Sequence, residues 1–253
     1  MIIKPIQTEV VRAGALSVEK FLDRNLDSLA ERSILAISSK VVALCENRIA
    51  PAETDKESLI REESDYYLPR ELRKHGASCA ITHHAFIGVG GIDRSNAGDC
   101  FVLLPADPQA SVDAIYTYLN NRFEISDCGV VMTDSHSTPF RRGASGISLA
   151  WRGFHGLRDY RGTPDVFGRP MRVEQANLPD AIAAASVLAM GEGNEQTPLT
   201  IVSDIPGIVF DEYAPDEAER AEFFVDPEED IFSPIIDFGK MRRGCNRAIL
   251  TKK

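Results

Sequence analysis

No stretch of this 253-residue chain approaches the roughly 18 consecutive apolar residues of a membrane span. The opening Met1-Ile2-Ile3-Lys4-Pro5-Ile6 lacks the basic region, apolar core and small-residue cleavage site of a secretory leader. A cytoplasmic protein without a membrane partner is therefore expected. Cysteine is sparse: Cys45, Cys79, Cys100, Cys128 and Cys245 are odd in number, scattered and never spaced as CxxC, which argues against a disulfide framework and against a thiolate zinc site. Positive charge is also short, since 28 Lys plus Arg against 38 Asp plus Glu leave a formal charge of -10. That sign is wrong for a chain that lives on a phosphate backbone, so no nucleic-acid partner is expected. There is no GxxxxGK[ST] phosphate loop, and the glycines from Gly88 to Gly91 lack the GxGxxG spacing of a dinucleotide fold. Any nucleotide must bind through another architecture.

What is present is 43% hydrophobic residues, enough for a core, arranged as mixed α and β without repeats or a low-complexity linker. Ser17 can cap a helix in which Val18, Phe21, Leu22, Leu26 and Leu29 recur at helical spacing. Residues 34–37 read as a buried strand, residues 55–74 as a charged helix ending near His75-Gly76, and residues 77–81 as a short strand. A glycine-rich turn follows at residues 87–93. The strand at 101–104 is closed by Pro105, Asp107-Pro108 opens a helix, and residues 129–133 form the next buried strand. From Asp134 to Asn177 the chain is rich in Gly, Arg, Ser and Thr, with short strand-like pieces such as residues 147–151, and segments of this kind are usually functional. An alanine-rich helix at 181–190 stops at Gly191, and a strand at 199–202 follows Pro198. Residues 211–230 hold ten carboxylates and one arginine, the composition of a solvated helix or tail.

Asp134 closes the apolar run Gly129-Val130-Val131-Met132-Thr133, and Ser135 and His136 follow it. The C-terminal end of a buried strand is where open sheets place their sites, and a carboxylate beside a hydroxyl is a hard-oxygen pair for Mg2+ or Mn2+; a turn-capping Asp is the alternative. Asp93, in Gly91-Ile92-Asp93-Arg94-Ser95-Asn96, is a second such carboxylate, or part of a polar turn. Between Ser135 and Asn177 seven arginines face three acids and no lysine, a local +4 in an acidic chain. Arginine's planar fork suits phosphate or carboxylate ligands, although pairing with the acidic C-terminal region or a subunit partner would use the same residues. Adjacent His83 and His84 on a strand would point to opposite faces, which favours a structural role over a shared metal. His136 is better placed for acid, base or ligand work. Gly191-Glu192-Gly193-Asn194 is a helix C-cap whose carboxylate and amides can also reach a metal or phosphate.

Taken in order, several motifs resemble the coenzyme F420-0:L-glutamate ligase family, the gamma-glutamyl ligases of the deazaflavin coenzyme. They are Ser38-Ser39-Lys40-Val41-Val42 with Glu46-Asn47-Arg48, Gly91-Ile92-Asp93-Arg94-Ser95-Asn96, Leu103-Leu104-Pro105-Ala106-Asp107-Pro108, Thr133-Asp134-Ser135 with Phe140-Arg141-Arg142-Gly143, Leu157-Arg158-Asp159-Tyr160-Arg161-Gly162 with Asp165-Val166-Phe167-Gly168-Arg169-Pro170, and Met190-Gly191-Glu192-Gly193. The likeness is collinear from Ile34 to Pro198. It implies an α+β fold of mixed sheets with packed helices, two discontinuous subdomains and an intertwined homodimer. Residues 1–207 would be the ligase-like domain, with an inserted subdomain at about 94–175, and residues 208–253 an acidic extension.

The activity implied is a GTP- and divalent-metal-dependent ligation of L-glutamate to an acidic acceptor such as coenzyme F420-0, through an acyl phosphate. Two ions, Mg2+ or Mn2+, are expected, with K+ as a further candidate cation. Asp93 and Asp134 would bind the first ion, Ser135 and Glu192 the second. Ser39, Lys40, Asn96, Gly191, Gly193 and Asn194 would contact the nucleotide, together with the rest of the loop from Gly191 to Pro198, and Arg141, Arg142 and His136 would serve the chemistry. The chain departs from the family pattern at Glu9-Val10, Leu44, Val89-Gly90-Gly91 and Ser137-Thr138, which are nucleotide and substrate positions. A related amino-acid ligase acting on another carboxylate, or a metal- and nucleotide-binding dimer without catalysis, are the other two readings.

Overall fold

The computed structural model describes residues 1–74 and 78–246. Its elements, in chain order, are β1 (Ile2–Ile6), α1 (Val18–Asn25), β2 (Ser33–Ser38), α2 (Ser39–Cys45), β3 (Ile49–Pro51), α3 (Lys56–Glu63), β4 (Tyr66–Tyr67), β5 (Cys79–Thr82), β6 (Ala85–Gly88), β7 (Cys100–Val102) and α4 (Pro108–Phe123). After these come β8 (Cys128–His136), β9 (Ser145–Arg152), β10 (Leu157–Asp159), β11 (Gln175–Asn177), α5 (Leu178–Met190), β12 (Leu199–Ser203), α6 (Glu217–Phe223) and β13 (Arg242–Arg243). The fold is α+β, as expected, and no helix among the described residues is long and apolar enough to cross a membrane.

The central sheet has the order β1-β12-β2-β8-β9, with β2 and β8 parallel and the other pairs antiparallel. Its two middle strands are apolar on both faces because both faces are covered. Leu35, Ile37, Val130 and Met132 point to Phe21 and Leu22 of α1 and to Val112, Ile115 and Leu119 of α4. Ile34, Val131, Trp151 and Val202 point to Ile182 and Ala183 of α5 on the other side. Each bounding helix is capped by the residue its sequence offers: Ser17 accepts from Lys20 N–H, Asp107 from Ala110 N–H and Asn177 from Asp180 N–H. A bulge between Met132 and Thr133 in the β8–β9 pairing leaves Leu149 and Ala150 both in the α4-side core. β8 continues through Asp134 to His136, so the carboxylate expected just beyond the strand lies within its last turn of pairing.

A smaller antiparallel sheet, β13-β4-β5-β6, and the β3-β7 pair lie alongside, with Ala85 and Ile87 of β6 joining the α4-side core. The charged helix expected over residues 55–74 is α3, capped by Asp55, and it ends at Glu63. Tyr66 and Tyr67 pair instead with Ile81 and Ala80, and this long-range ladder overrides the local helical composition. The expected end at His75-Gly76 and the first residue of the expected strand, Ala77, lie outside the described residues. His83 and His84 are not on a strand: both have positive φ and form the two-residue turn between Thr82 and Ala85.

The acidic C-terminal segment is folded onto the body. Phe223 and Phe224 lie 4.4 and 5.9 Å from Trp151, centroid to centroid, and Phe224 stacks on His84 at 4.7 Å. Arg161 bridges to Glu222 at 2.9 Å, and Arg152 donates to the Glu212 carbonyl at 2.8 Å, so part of the arginine-rich segment is used against the acidic one. Cys128 is fully buried, and burial pushes its thiol up to about 12, which fits a packing residue rather than a reactive one.

Candidate functional site

β2 and β8 run in parallel with Ser38 level with Thr133. The residues that follow each strand position, Ser39 and Asp134, therefore emerge side by side, and Ser39 Oγ donates to Asp134 Oδ1 at 3.3 Å. This is the carboxyl end of adjacent parallel strands, where an open sheet leaves a crevice. The crevice is a pocket of about 390 Å³ whose lining includes Ser39, Lys40, Asp93, Asn96, Asp134, Ser135, Gly191, Glu192, Gly193 and Asn194. All ten residues that the sequence singled out for metal and nucleotide thus share one cavity. Three others do not: His136 is the last residue of β8, and Arg141 and Arg142 lie on the exposed turn at 137–144, outside the lining. Among the described residues neither arginine forms an ion pair.

The wall opposite Asp134 is the turn that leaves β6. Lys40, in the first turn of α2, pairs with Asp93 Oδ2 and also donates to Ser95 O and Ser95 Oγ, each at 3.1 Å. Ser95 returns two bonds to Asp93, from N–H at 2.8 Å and from Oγ at 2.7 Å. Burial opposes ionisation of Asp93, but the Lys40 and Ser95 hydrogen bonds and the Lys40 charge outweigh it and hold its carboxyl below the ordinary value. At Asp134 the balance falls the other way. Burial, with a contribution from the charge of Asp93, pushes it up to about 6 against the Ser135 N–H, Ser39 and Lys40. The charge of Asp93 thus raises the proton affinity of Asp134, while the Lys40 ammonium lowers that of both carboxyls.

The loop after α5 forms the third wall. Gly191 ends the helix at φ 79°, a conformation that disfavours side chains, and a Cβ there would meet the Glu195 carboxyl at 2.4 Å. Gly193 N–H donates to Glu195 Oε2 at 2.8 Å, and Asn96 Nδ2 donates to Gly193 O at 2.9 Å, which clasps the two loops across the crevice. Thr8 N–H donates to Gln196 O at 2.8 Å and brings Glu9, Val10 and Val11 to the rim, where Glu9 pairs with Arg24 at 3.1 Å. Glu195 and Gln196 belong to the loop from Gly191 to Pro198 that the family resemblance assigns to the nucleotide, whereas sequence reasoning missed Arg24, whose position at the rim depends on long-range placement.

Among the described residues the lining holds five carboxylates, Glu9, Asp93, Asp134, Glu192 and Glu195, and a single cationic side chain, Lys40. Hard oxygens from Asp93, Asp134 and Ser135 suit Mg2+ or Mn2+, which take one or two carboxylates and complete their shell with water and phosphate. A closed protein cage is not required, in keeping with the lack, among the described residues, of any group of three or more His, Cys, Asp or Glu able to hold a metal.

These features define an α+β protein with an acidic pocket at the carboxyl ends of its parallel strands. A model of the F420-0:gamma-glutamyl ligase family matches residues 5–204, and the chain belongs to that family. A coenzyme F420:L-glutamate ligase of Haloarcula marismortui is 38% identical over 142 residues, 56% of this chain and 52% of that protein. One from Methanococcus maripaludis is 29% identical over 209 residues, covering 77% of this chain and 81% of that protein. One from Halobacterium salinarum is 39% identical over 120 residues, 47% of this chain and 46% of that protein. The chain therefore spans about half the length of the Haloarcula and Halobacterium relatives in these matches.

Proposed function

We propose that the pocket binds GTP with divalent metal and that the protein ligates L-glutamate to an acidic acceptor, coenzyme F420-0 being the acceptor that the family points to. The observation that carries this reading is the charge of the lining. Among the described residues five carboxylates against one lysine repel a triphosphate, so a nucleotide binds tightly only where cations are bound with it. Bound divalent ions would neutralise the phosphate oxygens and polarise the γ-phosphoryl group. Asp93 and Asp134, Ser135 and Glu192 would hold them.

The chain's own groups do the rest. Lys40 offers a positive side chain to the phosphates, and the Asn96–Gly193 clasp fixes the loop that would lie over them. An acceptor carboxylate attacks the γ-phosphorus and displaces GDP. The amine of glutamate then attacks the acyl carbon and expels phosphate, leaving an amide. His136 follows Asp134-Ser135 directly in the chain, Arg141 and Arg142 stand on the turn beyond it, and their catalytic part requires the turn at 137–144 to close on the acceptor. A ligase using a different carboxylate acceptor is the second reading, favoured by the departures from the family pattern at Glu9-Val10 and Leu44, both in the pocket lining.

The test is incubation of the purified protein with GTP, Mn2+, glutamate and F420-0, read by mass spectrometry. A glutamylated product formed with GTP consumption supports the first reading. Glutamate-dependent GTP consumption only with another acceptor supports the second, and consumption with none removes both.

A further inference from the structure

The Lys40 ammonium has three acceptors, Asp93 Oδ2, Ser95 O and Ser95 Oγ, which satisfy all three of its N–H donors. It therefore sits on the very carboxylate that a metal would use. Its charge also reaches Asp134. One flexible side chain, 28% exposed on the pocket wall, thus stands in for a cation at both carboxylates. A divalent ion arriving alone must either displace this ammonium or sit beside it against like-charge repulsion. A triphosphate changes the balance, because it gives the ammonium other anionic oxygens to bind.

Resting on the proposed function above, we infer that Lys40 is a resident counter-ion that couples the two ligands: nucleotide phosphates draw it off Asp93, and only then does the divalent ion bind there at full strength. Binding of nucleotide and metal is then mutually reinforcing by thermodynamic reciprocity. The free protein resists taking up metal alone, and an excess of divalent ion does not fill the pocket ahead of the nucleotide. Lys40 acts here as a positioning residue for the metal, a part separate from touching the phosphates.

The experiment titrates Mn2+ alone into the wild-type protein, Lys40→Gln and Lys40→Ala, followed by the paramagnetic signal of free Mn2+, and repeats each titration with GTP present. Asp93→Asn marks which binding belongs to this pocket, and thermal melts establish that each variant is folded. The two Lys40 variants are expected to bind Mn2+ alone on the order of tenfold more tightly than wild type. GTP is expected to strengthen Mn2+ binding by wild type and to do so much less in the variants. If Lys40→Gln and Lys40→Ala bind Mn2+ alone no more tightly than wild type, while wild type still binds Mn2+ with GTP, the counter-ion role is wrong and the proposed function stands. If wild type binds Mn2+ neither alone nor with GTP, both fall.

Discussion

Asp65 is the sharpest place to test the energetics of the lobe that presents Asp93. It is 5% exposed, Oδ2 accepts the His83 N–H at 3.0 Å, and among the described residues Oδ1 has no hydrogen-bond partner. Burial raises its carboxyl from 3.8 to about 7, with the His83 N–H opposing. A folded-state value above the unfolded one means that the native protein binds this proton more tightly. Its contribution is fully present below about pH 4 and is lost as pH rises towards 7. The displacement corresponds to roughly 4 kcal/mol, of which we take about half because protein and water relax around a buried charge.

Asp65→Asn keeps an acceptor for His83 N–H and removes the charge. The variant is expected to be more stable than wild type by about 2 kcal/mol above pH 7, or about 4–8 °C in Tm. The difference should shrink to nothing near pH 4. Thermal unfolding of both proteins across pH 4–8.5 checks this. A variant that melts below wild type at pH 8, or a difference that does not depend on pH, would refute the reasoning, because either would mean that Asp65 is stably ionised in the folded protein.

Three further outcomes follow from the same geometry. Asp134→Asn can still accept from Ser39, so it should fold normally yet lose metal-dependent turnover by at least about a hundredfold; undiminished turnover would remove Asp134 from the centre. Gly146→Ala would place a Cβ 2.3 Å from Ala183 O and 2.6 Å from Ala183 C, forcing α5 off β9. A loss of about 1–3 kcal/mol is expected in denaturant melts, with weaker nucleotide binding because the Gly191 loop continues from α5. Phe224→Ala removes the stack on His84 and the edge on Trp151 and should cost about 1–3 kcal/mol; an unchanged melting curve would make the C-terminal segment a tail after all.

Elements governed by local chemistry were legible in the sequence. Ser17, Asp107 and Gly191 bound their helices as their residue types require, and the apolar runs of β2 and β8 are the two middle strands of the sheet. The pocket was legible for a similar reason, because short motifs at strand ends carry Ser39, Asp93, Asp134 and the Gly191 loop to one crevice. What was not legible depends on pairing over distance. The charged stretch after Asp55 reads as helix until Tyr66 and Tyr67 find β5, and beyond them Arg242 and Arg243 of β13 find β4. His83 and His84 carry no turn signature, yet a two-residue connection between β5 and β6 forces both to positive φ. The ten carboxylates of residues 211–230 hide Phe223 and Phe224, whose partner Trp151 lies about seventy positions upstream. Arg141 and Arg142 stand near Asp134 in sequence, but β8 runs on to His136 and sets them outside the pocket lining.

The most direct test of the central claim is a calorimetric titration of the purified protein with GTP, then ATP, each with and without Mn2+. An acidic pocket with one lysine predicts GTP binding that requires Mn2+ and reaches micromolar affinity, about -8 kcal/mol. A folded protein that binds neither nucleotide with Mn2+, or that binds GTP equally well without metal, would contradict it.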